Sequence, residues 1–147
     1  MKRNLTLVAL AALASGLVAA GCGDDDGGEA LSKEEFVVQG NAICARGNAE
    51  IGAAGEKVGG PPGTPEFDAF VTDTLAPNIQ GQIDDIRALG PPEEDADQVN
   101  AMLDEVQAVV DRIAADPGFA AESKQDPLDP VTEDLVAYGL TECDNND

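Results

Sequence analysis

From Leu31 to Tyr138 the apolar residues return at intervals of three and four, and no stretch alternates apolar with polar residues. That spacing sets side chains along one face of an α-helix and leaves no segment patterned for a half-buried strand. An all-α fold is therefore predicted. Leu31-Ser32-Lys33-Glu34-Glu35-Phe36 opens the first helix. Ser32 is a natural cap, Glu35 stands three residues on to complete a capping box, and Leu31 and Phe36 occupy the positions of a hydrophobic staple. Phe36, Gly40, Ile43, Gly47, Ile51, Ala54 and Val58 form its inner face, with Cys44 beside it. Gly40 and Gly47 would let another helix come close, at a cost of up to ~1 kcal/mol each against Ala. Gly59-Gly60-Pro61-Pro62-Gly63 ends the helix.

Thr64-Pro65-Glu66 starts a second helix, whose stripe runs through Phe67, Phe70, Val71, Leu75, Ile79, Ile83, Ile86 and Leu89. Pro77 should kink it or split it near Ala76. After Gly90-Pro91-Pro92, Asp95 with Gln98 three residues later can cap a third helix, with Val99, Met102, Leu103, Val106, Val110 and Ile113 inward. Asp116-Pro117-Gly118 closes it, and a polar stretch leads through Gln125 and Asp126. Asp129-Pro130 opens a short last helix with Val131, Leu135 and Tyr138 inward, ending before Cys143. About four helices joined by short turns predict a small antiparallel bundle over residues 31–143, with 144–147 a polar tail.

The amino end has a different character. Lys2 and Arg3 precede an Ala- and Leu-rich stretch from Leu5 to Ala20, and small residues lead to Cys22. A basic start, a short apolar helix and a small-residue cleavage site are the parts of a secretory signal, here residues 1–21. A cysteine at that point is the acceptor position of a lipoprotein signal. It predicts cleavage before Cys22 and acyl chains, palmitate among them, on its thiol and new amino group. The alternatives are an ordinary signal cut near Ala20, or an uncleaved anchor, for which the apolar stretch is short. Residues 22–30 are rich in Gly and Asp and read as a flexible, disordered linker. Cleavage would leave about 126 residues, enough for one domain with a modest core.

The net charge is −21, and removing residues 1–21 takes away two cations and no acid. Such a chain repels nucleic acid and anionic headgroups, so nucleic-acid binding is not expected. The acidic surface reads first as a solubilising coat, and second as a face for a cationic partner. If lipid takes Cys22, the other two cysteines, Cys44 and Cys143, are expected to pair in an oxidising compartment, the alternative being two separate buried thiols.

Catalytic chemistry finds little footing. The chain has no histidine, the commonest proton shuttle, and no nucleophile elbow, Walker loop or cofactor motif. No catalytic residue, metal ligand or cofactor site is assigned. Glu93, Glu94 and Asp97 could gather a hard cation such as calcium, but at a helix start they interact favourably with the positive helix end anyway. Asp97, Asp104 and Asp111 lie at heptad spacing, ~10 Å apart along a helix, too far for two of them to share an ion. Asp24, Asp25 and Asp26 read as solvated linker. Tyr138, the only tyrosine, could line a ligand pocket or pack over the bridge.

With the Cys22 signal, Leu31 to Phe36 followed by Asn41-Ala42-Ile43-Cys44, and the terminal Tyr138-Gly139-Leu140 with Cys143, the chain resembles small uncharacterised lipoproteins of high-GC Gram-positive bacteria. The resemblance covers most of the mature chain. It implies an exported helical domain on the outer face of the cytoplasmic membrane and supplies no catalytic residues. The expectation is a noncatalytic envelope lipoprotein that binds an envelope protein or a small ligand. The alternatives are a calcium-binding or sensing module and, behind it, a hydrolase working through carboxylates alone.

Overall fold

The computed structural model describes residues 31–122 and 125–144. The signal segment, Cys22 and its linker lie outside the described residues. The described chain is all-α and contains no strand. Its helices are α1 (Lys33–Gly55), α2 (Pro65–Phe70), α3 (Ala76–Ala88), α4 (Ala96–Ala115), α5 (Pro117–Glu122) and α6 (Asp129–Tyr138), followed by a single 3₁₀ turn, Thr141–Cys143.

The start of α1 forms as its sequence dictates. The Glu35 amide donates to Ser32 Oγ at 3.3 Å, and the Ser32 amide donates to Glu35 Oε2 at 3.0 Å. The Ser32 hydroxyl also donates to Glu35 at 2.6 Å, which with the amide bond holds the Glu35 carboxyl below its ordinary value of 4.5. Thr64 caps α2 by accepting from the Phe67 amide at 3.4 Å.

Pro77 bends the chain's register without breaking the helical path. Residues Val71–Leu75 form a π turn that joins α2 to α3, with the Ala76 amide bonded five residues back to the Val71 carbonyl. Proline has no amide to give, and its ring crowds the carbonyl four residues earlier, so the turn before it widens. The apolar stripe agrees with this. Val71, Leu75, Ile79 and Ile83 are separated by fours, and each such step overshoots a regular α-helix by roughly 40°. One wide turn takes up part of that drift and returns Ile79 and Ile83 to the core, where both are buried.

The helices close into a ring. α1 packs on α3, α3 on α4, α4 on α6, and α6 returns to α1 through the 3₁₀ turn. Phe36, Val71, Val99, Leu103, Ile113 and Leu140 are almost completely buried. The predicted inner face of α4 is buried throughout, from Val99 to Ile113. Two expectations need correction. Asp95 stands at the start of α4, but its carboxylate makes no capping bond; it is drawn off by two partners described below. The region after Pro117, read as polar loop, makes the short helix α5, whose Phe119 packs against the core and lies under Arg112 with the guanidinium 3.6 Å from the ring centre. Asp129-Pro130 opens α6 as read, and just before it Asp126 accepts from the Leu128 amide at 2.9 Å.

The last segment is pinned to α1 along its length. Cys44 is bonded to Cys143, with Cα atoms 4.9 Å apart and a sequence separation of 99. Leu140 lies over Gly40 so closely that a Cβ there would be 2.5 Å from Leu140 Cδ2. Gly47 faces Gln82 of α3 in the same way. Asn41 donates to the Gly139 carbonyl at 3.0 Å and accepts from the Glu142 amide at 3.0 Å, while Asn48 donates to the Glu142 carbonyl at 2.7 Å. Gly139 takes φ +124°, a left-handed value that turns the chain from α6 into this seam. Replacing Cys44 and Cys143 together by Ser should lower unfolding stability by up to about 4–5 kcal/mol, the loop entropy of a closure this long. Denaturant titration of the oxidised parent beside the double variant measures it; equal midpoints would show that the seam holds without the bond.

Candidate functional site

The interior offers little room. The cavity lying against the Cys44–Cys143 bridge is about 30 Å³, walled by Ile79, Ile83 and Ile86 of α3, Leu103 and Val106 of α4, and Leu128, Thr132 and Leu135 near the C-terminus. It is the size of a water molecule or a methyl group. The polar groups on its wall are already engaged: Asn48 with Glu142, Gln82 with Asn78, and the Thr132 hydroxyl with the Leu128 carbonyl. A small organic molecule has no place there without the helices parting.

The chemistry gathers at the outer edge, where α1, α4 and α6 meet. The Tyr138 hydroxyl donates to Asp95 Oδ2 at 2.8 Å. Lys33 Nζ stands 3.4 Å from the same carboxylate oxygen and 3.9 Å from the centre of the Tyr138 ring. On its inner side the ring meets Phe36 edge to face, with centroids 6.3 Å apart. Asp95 thus exchanges its predicted capping role for a bond that ties α4 to both α1 and α6. Burial first, then the hydrogen bond to Asp95 and the charges of Asp95 and Glu94, raise the Tyr138 hydroxyl far above its ordinary value of 10.0. Such a group keeps its proton and does not serve as a base near neutrality.

A groove of about 390 Å³ leads away from this cluster between α4 and α6. Gln98, Ala101, Met102 and Glu105 line it from α4; Asp134, Ala137 and Tyr138 line it from α6; Lys33 stands at its end. Glu105 and Asp134 are both exposed.

The acids singled out from sequence behave differently from one another. Glu93 and Glu94 are exposed in the turn before α4, and Asp97 is exposed in its first turn. Asp104 pairs with Arg87 and Asp111 accepts from Gln107 at 2.9 Å, so two of the three acids of the heptad stripe are bonded to separate neighbours. Among the described residues no three acidic or thiol side chains converge to hold a metal ion. No described helix is long and apolar enough to cross a membrane. The Asp95–Tyr138 bond was missed in the sequence because Asp95 also fits a helix cap, and nothing local distinguishes the two roles.

Because Tyr138 is the sole tyrosine, its titration can be followed by phenolate absorbance. The folded chain holds a proton that the unfolded chain releases near pH 10.0. The stabilisation is therefore complete below pH 10.0 and declines as pH rises above it. Phenolate absorbance should stay absent from folded protein past the ordinary tyrosine range and appear together with unfolding. Tyr138→Phe should cost about 1–2 kcal/mol, a hydrogen bond to a charged group at a partly wet edge. A free tyrosine titrating near 10.0 in folded protein would contradict the Asp95 bond. No family model, no curated protein and no solved structure matches this chain.

Proposed function

We propose that the chain is an exported lipoprotein, held by acyl groups on Cys22 at the outer face of the cytoplasmic membrane, whose helical domain is a noncatalytic binding module for another envelope component. One observation carries the reading. Cys44 and Cys143 form a bond that persists in oxidising compartments and is rare where thiols are kept reduced. The pairing agrees with an exported chain, and the third cysteine stands where a lipoprotein signal places its acceptor. The resemblance to small lipoproteins of high-GC Gram-positive bacteria points the same way.

Two features favour binding over catalysis. The strongly shifted hydroxyl, Tyr138, is shifted toward keeping its proton. A carboxylate hydrolase asks for two carboxyls facing each other across a cleft that encloses its substrate, whereas Glu105 and Asp134 border an open groove and are both exposed. The calcium-binding alternative asks for several convergent oxygen ligands.

The decisive measurement is mass spectrometry of the mature amino terminus from native membranes. An acylated Cys22 is expected, and Cys22→Ser should abolish processing and membrane retention. Recovery of the wild-type chain from culture fluid, with an unmodified thiol at Cys22, would overturn the reading.

A further inference from the structure

We infer that the groove between α4 and α6 is a docking surface for a basic, Lys- or Arg-bearing polypeptide segment. The inference rests on the proposed binding role and gives it a place and a chemistry. α4 and α6 run antiparallel, since Tyr138 at the end of α6 bonds Asp95 at the start of α4, and this direction puts Tyr138 toward the Gln98 end of the groove and Asp134 toward the Glu105 end. Gln98 to Glu105 spans about 10 Å along α4, and Asp134 to Tyr138 about 6 Å along α6. Ala101 and Ala137, exposed and short, keep the floor low between them.

The two ends are electrostatically unlike. At the Tyr138 end the carboxylate of Asp95 is answered by Lys33. This contact shows what the surface accepts, an ammonium group over an aromatic ring and against a carboxylate. The Lys33 side chain is 51 % exposed, so the position is open to solvent. At the other end, Glu105 and Asp134 have no ion pair or side-chain hydrogen bond. The described arginines are engaged elsewhere: Arg46 with Asp85, Arg87 with Asp104, and Arg112 over Phe119. Among the described residues no lysine or arginine is paired with either carboxylate.

The shape selects the kind of partner. Small-molecule sites enclose most of their ligand, and this groove is open along its length. Among the described residues Val38 is the sole large hydrophobic side chain left exposed, so no apolar patch competes for a partner. An extended or helical segment can lay its aliphatic stems over Ala101 and Ala137 and its cationic heads between Glu105 and Asp134. The net charge of −21 would steer such a partner inward from a distance.

The test is fluorescence anisotropy of a labelled peptide of alternating Lys and Ala, titrated with the full-length chain in detergent at physiological salt. Saturable binding is expected. Glu105→Gln with Asp134→Asn should weaken it about tenfold, two surface charge contacts' worth. Ala101→Trp, which fills the floor and alters no charge, should weaken it as well. Glu56→Gln with Glu66→Gln removes the same charge elsewhere and should leave affinity within about twofold. Circular dichroism checks that each variant is folded. Equal loss from both charge pairs, or no effect of Ala101→Trp in a folded protein, would reduce the binding to the general field and overturn the proposal. So would the absence of binding, or spermidine binding the groove as tightly as the peptide. Failure here with an acylated Cys22 sinks the groove alone; binding by a chain whose Cys22 is unmodified sinks the anchor alone.

Discussion

The fold depends on closing a ring whose last member is too short to stand alone. α6 has ten residues, and isolated helices of that length are marginal in water. Its own inward side chains, Thr132, Leu135 and Tyr138, do not amount to a full helical face. What completes it is the stretch beyond the helix: Leu140 seated over Gly40, the paired asparagines Asn41 and Asn48, and the bond from Cys143 to Cys44. These contacts are strung along one edge of α1. The glycine that weakens α1 locally is the same residue that admits Leu140, so a propensity cost in one helix is offset by burial of a large side chain from another segment.

Much of this was legible in the sequence where the signal is local. The capping box at Ser32, the cap at Thr64, and the stripe from Val99 to Ile113 need only nearest neighbours along the chain, and each appears as read. Pro77 was legible as a disturbance, though not as a π turn, because the choice between kink, break and widened turn depends on what the two flanking faces must contact. The failures have a common cause. Asp95 turns to Tyr138, 43 residues away, and a distant hydroxyl outcompetes a cap that local chemistry favours. Leu140 is fully buried although it lies beyond the periodic part of α6. Phe119 gathers α5 to the core from within a stretch dominated by polar residues and turn formers. The groove between α4 and α6 could not be drawn from the sequence, since its floor is two alanines and its walls are residues that resemble any solvated face.

The acidic character is distributed with some order. Each described arginine is spent on one contact, two of them joining separate helices: Arg46 of α1 to Asp85 of α3, and Arg87 of α3 to Asp104 of α4. Exposed pairs of this kind contribute little to stability. With Lys33 on Asp95 they neutralise only a few of the many carboxylates, so the domain carries its negative field outward and its compactness rests on the apolar core and the seam.

The π turn has a consequence for how this chain tolerates change. Val71–Leu75 holds in effect one residue more than a regular helix would use between the aromatic pair Phe67 and Phe70 and the isoleucines of α3. Deleting one of Thr72, Asp73 or Thr74 would remove that surplus and let the stretch close into regular α-helix with the faces on either side nearly in their present phase. Adding one residue to the same turn would instead rotate α2 by roughly 100° about its axis and carry both phenylalanines off the protein interior. The widened turn already stores one surplus residue, so this stretch admits a shorter chain more readily than a longer one.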